Sequence, residues 1–218
     1  MSGQQYQISY WCMIRQNRVV MPGRDWVPNE NFLTFTEFIK ALYKKEQVSY
    51  PKFYKMDNLS KLGFLCAEMI FKNNPVTGRY KSEEIGIILS NSSSSLDTDL
   101  DYYKTIKDPS SYFPSPSVFV YTLPNIVTGE ICIRNRIKGE NAFFISEKFN
   151  SELLETYGRL LFESQHMQTL LCGWVEILKE KYEAALFLIE KKKDNETGNE
   201  FPEFSARSMN TLYYKINN

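Results

Sequence analysis

The chain has 218 residues, with 26 Lys plus Arg against 26 Asp plus Glu, 43% hydrophobic residues and 15% aromatic residues. That length is enough for one α/β unit with a sizeable core. The zero net charge gives no electrostatic ground for a nucleic-acid partner. No apolar run reaches the ~20 residues that a membrane-spanning helix needs. The polar start, Met1 to Gln7, lacks the charged-then-apolar layout of a secretory signal. Four scattered cysteines (Cys12, Cys66, Cys132, Cys172) form no CxxC pair and point to reduced thiols in a cytoplasmic protein. With His166 as the only histidine and no clustering of ligands, neither a metal site nor a cofactor is expected.

No internal repeat or low-complexity linker interrupts the chain, so residues 1–218 read as a single domain. Ile8 to Ile14 is a first strand. Thr34-Phe-Thr-Glu37 has the form of a capping box, and Phe38, Ile39 and Leu42 then share one face of a short helix. Asp57 is a good N-cap for a second helix, whose apolar positions Leu59, Leu62, Leu65, Cys66, Met69 and Ile70 keep helical spacing. Asn73-Asn74-Pro75 and Thr77-Gly78 break it. Ile85 to Leu89 is a short, continuous, β-branched run of the kind covered on both faces of a sheet.

The polar run Ser90 to Ser95 follows that strand. It reads equally as a site-bearing loop at a strand end, as in open α/β sheets, or as a plain turn. Within and after it, Ser92, Ser94, Asp97 and Asp99 form a candidate loop site, since carboxylates at alternate positions (Asp97, Asp99, Asp101) can hold a hard cation or act as a base. Their plainer reading is helix N-terminal charge and solvated loop.

Leu123-Pro124-Asn125 opens a further element: Pro124 fits the first turn of a helix, the mixed spacing of Ile126, Val127, Ile131, Ile133 and Ile137 favours helix slightly over strand, and Gly139 stops it. Ala142 to Ile145 reads as a buried strand. A long amphipathic helix then carries Leu153, Leu154, Tyr157, Leu160 and Leu161 on one face, capped by Asn150 or Ser151, with Glu152 complementing its dipole. Gln168 to Leu178 and Tyr182 to Glu190 are two more strands. Lys191 to Lys193 with Asp194 to Gly198 is a solvated turn, and Phe204 to Ile216 a short helix or strand. The alternation of strands and helices gives an α/β layered fold, a mixed central sheet with helices on both faces.

Several segments resemble the β-ketoacyl synthases in order and spacing. Met56-Asp57-Asn58-Leu59-Ser60-Lys61-Leu62 is similar to that family's early "M-D-x-x-S-R" helix start, and Ile85-Gly86-Ile87-Ile88 to its "x-G-v-v" strand. Leu123-Pro124-Asn125-Ile126-Val127-Thr128-Gly129-Glu130-Ile131-Cys132-Ile133, with Ile137-Lys138-Gly139-Glu140-Asn141 behind it, is similar to "l-P-N-x-x-x-G-x-I-a-I … i-x-G-P-N". The resemblance covers roughly residues 8 to 178, most strongly 56 to 178, and implies the N-terminal half of a thiolase-like fold.

The same resemblance implies a catalytic cysteine on the turn between the strand Ala142 to Ile145 and the helix behind it. There the helix N-terminus would stabilise a thiolate. Ser146-Glu147-Lys148-Phe149-Asn150-Ser151 stands where the family has "T-A-C-x-S-G", so the nucleophile position falls on Phe149, to within about a residue. No cysteine lies in that turn. Cys132 and Cys172 belong to apolar elements and read as buried structural thiols, the latter beside Gly173 in a segment similar to "a-G-G-x-E". Ser146 and Ser151 are nucleophiles by type but have no visible base. The family's second half, with its two histidines, is expected to be absent, and His166 matches neither histidine motif, so no catalytic residue is assigned.

Chain-length-factor subunits resemble ketosynthases, lack the cysteine and pair with an active partner. The resemblance therefore implies an accessory role in fatty-acid, polyketide or aryl-polyene-type synthesis, as a homo- or heterodimer, with an active ketosynthase or an acyl-carrier protein as partner. Asn125, Gly129, Phe143, Phe144, Ser146 and Ser151 are the candidate acyl-pocket or interface residues; the phenylalanines could equally fill the chain's own core. The alternatives are an enzyme using the Ser/Asp-rich loop 90–101, or a pure assembly module.

Overall fold

The computed structural model describes residues 5–28, 34–164, 167–192 and 201–215. The elements run β1 (Tyr6–Arg15), β2 (Arg18–Met21), β3 (Arg24–Trp26), α1 (Phe35–Lys45), α2 (Asn58–Asn73), β4 (Ile85–Asn91), α3 (Leu96–Lys104), α4 (Pro116–Phe119), α5 (Ile126–Asn135), β5 (Asn141–Ile145), α6 (Ser151–Ser164), β6 (Thr169–Leu178), β7 (Lys181–Lys191) and α7 (Ala206–Lys215). The seven strands make one mixed sheet in the order β3-β2-β1-β7-β6-β4-β5. β5, β4 and β6 are parallel, while β6, β7, β1, β2 and β3 alternate antiparallel.

Local chemistry starts the first two helices where the sequence indicates. The Thr34 hydroxyl accepts from the Glu37 N–H, and Glu37 returns a carboxylate to the Thr34 N–H at 3.0 Å. Asp57 accepts from the Ser60 N–H at 3.0 Å and caps α2. All six apolar positions expected on the buried side of α2 lie in the core. Two cores result, one on each face of the sheet. α1, α2 and α5 pack on one; α6 and α7 close the other, with Phe149, Leu154, Phe187, Phe204 and Tyr213 among its members.

Four expectations need correction. Ala142 to Ile145 is not buried but forms the sheet's outer strand, half-covered, with Ile145 54% exposed, because only β4 flanks it. The helix opened by Leu123 starts at Ile126, one residue past its cap Asn125, so Pro124 precedes the helix. It ends at Asn135 with Arg136 left-handed (φ 54°), not at Gly139. Gly139 instead allows a close approach of two backbones. Its N–H donates to the Ser82 carbonyl, and a Cβ there would stand 2.3 Å from the Ile85 carbonyl oxygen. Leu160 does not share the buried stripe of α6; it is 52% exposed. Finally, Ser90 and Asn91 are buried residues of β4 rather than loop. The hairpin β2–β3 and the short α4 add elements beyond the expected set, α3 follows the plainer reading of Asp97 and Asp99 as helix N-terminal charges, and the tail takes the helical option. Of the stretch Lys191 to Gly198 expected as a solvated turn, Lys191 is the last residue of β7 and residues 193–198 lie outside the described residues, as does His166.

Gly173 lies in β6 against the backbone of β7. A Cβ there would be 2.0 Å from the Ala185 carbonyl oxygen and 2.9 Å from Leu186 Cα, both backbone atoms of the adjacent strand. Gly173→Ala is expected to cost at least ~3 kcal/mol, because the strands cannot separate without breaking their ladder. Urea unfolding of the variant checks this; a cost under about 1 kcal/mol would mean that the strands have room to move.

Candidate functional site

The turn singled out by the resemblance is built by three neighbours. β5 pairs with β4 from Ile87↔Asn141 to Asn91↔Ile145, and the ladder runs one bond further as the Ser146 N–H donates to the Asn91 carbonyl at 2.8 Å. The chain then turns over Glu147 to Asn150 into α6. Asn150 is the cap: its Oδ1 accepts from the Leu153 N–H at 3.0 Å. Ser151 lies inside the first helical turn, buried.

Phe149 points into the core. It is 6% exposed, stacks on Tyr213 of α7 at 4.3 Å between ring centroids, and lies tilted against Phe187 at 6.1 Å. A small polar network fixes Tyr213 in turn. Its hydroxyl donates to Glu183 Oε1 at 2.7 Å, and the Trp174 indole N–H donates to the same oxygen at 3.0 Å. Arg15 pairs with Glu183 Oε2 at 2.6 Å and stands 4.7 Å over the Tyr213 ring. Burial, then the neighbouring Glu183, raises the Tyr213 phenol above its ordinary range. Ser146 to Ser151 line a groove of about 640 Å³, with Asn210 and Tyr214 of α7 on its other wall. Glu147, Lys148 and Glu152 line the groove beside these aromatic and amide groups at the start of α6.

The thiols lie elsewhere. Cys12, Cys66 and Cys172 are buried and Cys132 is half-buried. Burial pushes the Cys132 thiol up to about 11 and also raises Cys66 and Cys172, so none of these three carries appreciable thiolate near neutral pH.

The structure brings together only part of the predicted set. Phe144, Ser146 and Ser151 lie around the turn, with Phe144 edge-on to Tyr157 at 5.0 Å. Phe143, next along the strand, faces the opposite core. Asn125 and Gly129 lie on α5, on that opposite face: Asn125 is exposed and its carbonyl accepts from the Thr128 and Gly129 N–H groups.

The loop residues each have a separate structural partner. Asn91 closes the loop on Ser94 by bonds of 3.0 Å and 2.8 Å. The Ser92 N–H and hydroxyl both donate to Glu176 Oε2, at 2.6 Å and 2.7 Å. Asp97 accepts from Asn58 Nδ2 at 3.0 Å and from the Lys179 N–H at 2.7 Å, tying α3 to the β6–β7 turn. Asp99 accepts from Ser95 Oγ at 3.2 Å. Asp97 and Asp99 both lie in the first turn of α3, where negative charge favours the dipole. Among the described residues, no three His, Cys, Asp or Glu side chains converge on a common point.

Sequence reasoning missed Arg15, Glu183 and Tyr213. One signal was available: Glu183 precedes the apolar run Ala184 to Ile189 of β7 and stands opposite Glu176 in the β6–β7 ladder, so a cation was needed nearby.

No protein-family model matches the chain, and no curated protein matches its sequence. Solved structures do. The ishigamide ketosynthase/chain length factor matches with a TM-score of 0.63 at 15% identity, covering 91% of this chain and 64% of that one. A type II polyketide ketosynthase in complex with its acyl-carrier protein and bound to the hexaketide matches with 0.64 at 13% identity, covering 87% and 63%. The complex of a ketosynthase with its chain length factor from Xenorhabdus doucetiae matches with 0.53 at 14% identity, covering 87% and 80%. This chain thus spans less than two thirds of the first two chains. Its α/β layers are those of the thiolase-like ketosynthase fold.

Phe149→Ala is expected to cost about 3–5 kcal/mol in chemical denaturation, as for a buried aromatic. Tyr213→Phe, which keeps the ring and removes one donor to Glu183, is expected to cost about 1–2 kcal/mol. A Phe149→Ala cost below about 0.5 kcal/mol would show the ring to be a surface group instead.

Proposed function

We propose that this chain is a ketosynthase-like subunit without a nucleophile, working beside an active ketosynthase in fatty-acid, polyketide or aryl-polyene-type synthesis. Its role is to shape or contact the acyl chain, or to receive the acyl-carrier protein. The observation that carries the reading is Phe149: at the strand–turn–helix corner where the resemblance expects a thiol, the side chain is a phenylalanine closed in by Tyr213 and Phe187. The fold neighbours that are ketosynthases with chain length factors, and the one bound to an acyl-carrier protein, support the choice of partners.

The partner's place in this reading is β5. Its outer edge pairs with no strand among the described residues, and Ile145 at its end is 54% exposed. An open edge of this kind is a template for strand addition. A second chain that continues the sheet there would cover Ile145 and bring its own turn beside Ser146 to Ser151.

The test is intact-mass spectrometry of the chain after incubation with malonyl- and acyl-loaded carrier protein, with and without a ketosynthase from the same cell. The expected result is no acyl gain on this chain, co-purification with the ketosynthase, and a changed product length when both are present. An acyl adduct on the chain alone would overturn the reading. Ile145→Lys is expected to weaken the complex by about tenfold or more while leaving the melting temperature of the isolated chain within a few degrees. An unchanged complex would remove β5 from the interface.

A further inference from the structure

On the face opposite the Phe149 turn, a cleft of about 560 Å³ opens at the start of α2. Apolar groups (Met56, Val118, Tyr121) line one part of it, and Asp57 and Lys61, with Lys55, Asp97 and Asp101, the rest. We infer that this cleft is a second site, in which the Lys61 amine condenses with an aldehyde or ketone carrying an apolar body to form a reversible Schiff base.

Lys61 differs from the chain's paired lysines. Lys52 pairs with Glu130 at 2.8 Å, Lys104 with Asp101 at 2.6 Å, and Lys72 donates to the Glu46 carbonyl at 3.0 Å. Lys61 is partly buried, and among the described residues its amine has neither a hydrogen bond nor an ion pair. Burial lowers the Lys61 pKa below the ordinary lysine value, Asp57 opposes this and Lys40 adds to it, so a larger share of the amine is neutral than in an exposed lysine. A neutral, desolvated amine is the form that attacks a carbonyl.

Asp57 stands one helical turn before Lys61. Its oxygens accept from the Ser60 N–H at 3.0 Å and from Thr98 Oγ at 2.9 Å, which fixes the carboxyl, and from there its charge favours a positive charge at Lys61 without a direct contact. The amine nitrogen bonds to the carbonyl carbon as the C=O π pair passes to oxygen and a proton moves from nitrogen to that oxygen; the carbinolamine hydroxyl then takes a proton from solvent and leaves as water, its C–O bond breaking as the nitrogen lone pair forms the C=N bond. The resulting iminium is positively charged, and the fixed Asp57 carboxyl stabilises that charge. Met56, Val118 and Tyr121 receive the apolar body. No oxidant or reductant is needed, and the water released reverses the step.

The test uses the whole chain alone, without carrier protein, so its outcome is independent of the ketosynthase reading. The protein is incubated with hexanal and cyanoborohydride, which reduces any imine to a stable secondary amine, and labelled lysines are read by peptide mapping over time. Lys61 is expected to label at least about tenfold faster than the exposed Lys44, Lys107 and Lys138. Equal or slower labelling at Lys61 overturns the inference. In Lys61→Arg, which keeps the charge, the fast phase is expected to vanish while the melting temperature stays within a few degrees. Persistence of the fast phase in that variant also overturns it.

Discussion

The structure depends on β4 being covered on both faces. Ile85 to Asn91 is buried along its whole length, and its residues alternate: Ile85, Ile87 and Leu89 enter one core, Ile88 the other. A strand of this kind cannot stand in a single-layered sheet. It requires α2 and α5 on one face and α6 and α7 on the other, with parallel neighbours reached by crossover connections. Burying Ile85, Ile87, Ile88 and Leu89 is worth roughly 1.5–3 kcal/mol per side chain. Gly86 marks how closely the layers approach: a Cβ there would stand 2.5 Å from Leu170 Cδ2 and 3.1 Å from the Glu140 carbonyl oxygen.

The corner after β5 inherits its position from that strand. Because β5 is held in register with β4, Ser146 arrives at the Asn91 carbonyl, and the chain turns beneath the first residues of α6. In a thiol-bearing corner the dipole and free N–H groups of the helix would hold an anion. Here the same scaffold presents Asn150 as its own cap, and the ring of Phe149 turns away toward Tyr213. The carboxylate nearest to that ring stack, Glu183, is neutralised by Arg15 and two neutral donors. The network therefore fastens α7 over the corner.

Much of the layering was legible in the sequence, because its signals are local. The capping box at Thr34 to Glu37, the cap at Asp57, the spacing from Leu59 to Ile70 and the run Ile85 to Leu89 each describe an element that its neighbours then confirm. Edge status was not legible. Ala142 to Ile145 has the composition of a buried strand, and only the strand order leaves one side of it open. The β1–β2 turn was also hidden, since Gln16 and Asn17 both take positive φ (48° and 60°) without the Asn-Gly signature that marks such hairpins. At the candidate site, the turn itself could be placed by counting. Its content could not, because Tyr213, Glu183 and Arg15 come from α7, β7 and β1, and no spacing rule links them.

The open edge of β5 raises the problem of how the chain avoids pairing with the wrong strand. An exposed strand ending in Phe-Phe-Ile invites pairing with any other edge. Two features limit that. Phe143 and Phe144 turn to opposite cores, so each hides part of its ring and the outer face never shows both together. Charges also flank the strand: Lys138 and Glu140 stand before it and Glu147 and Lys148 after it, all exposed. A strand added at random would have to bring its own residues against these charges, whereas a partner with complementary charges at the two ends gains from them. The same five-residue strand is thus guarded against indiscriminate association although its outer backbone edge pairs with no strand among the described residues.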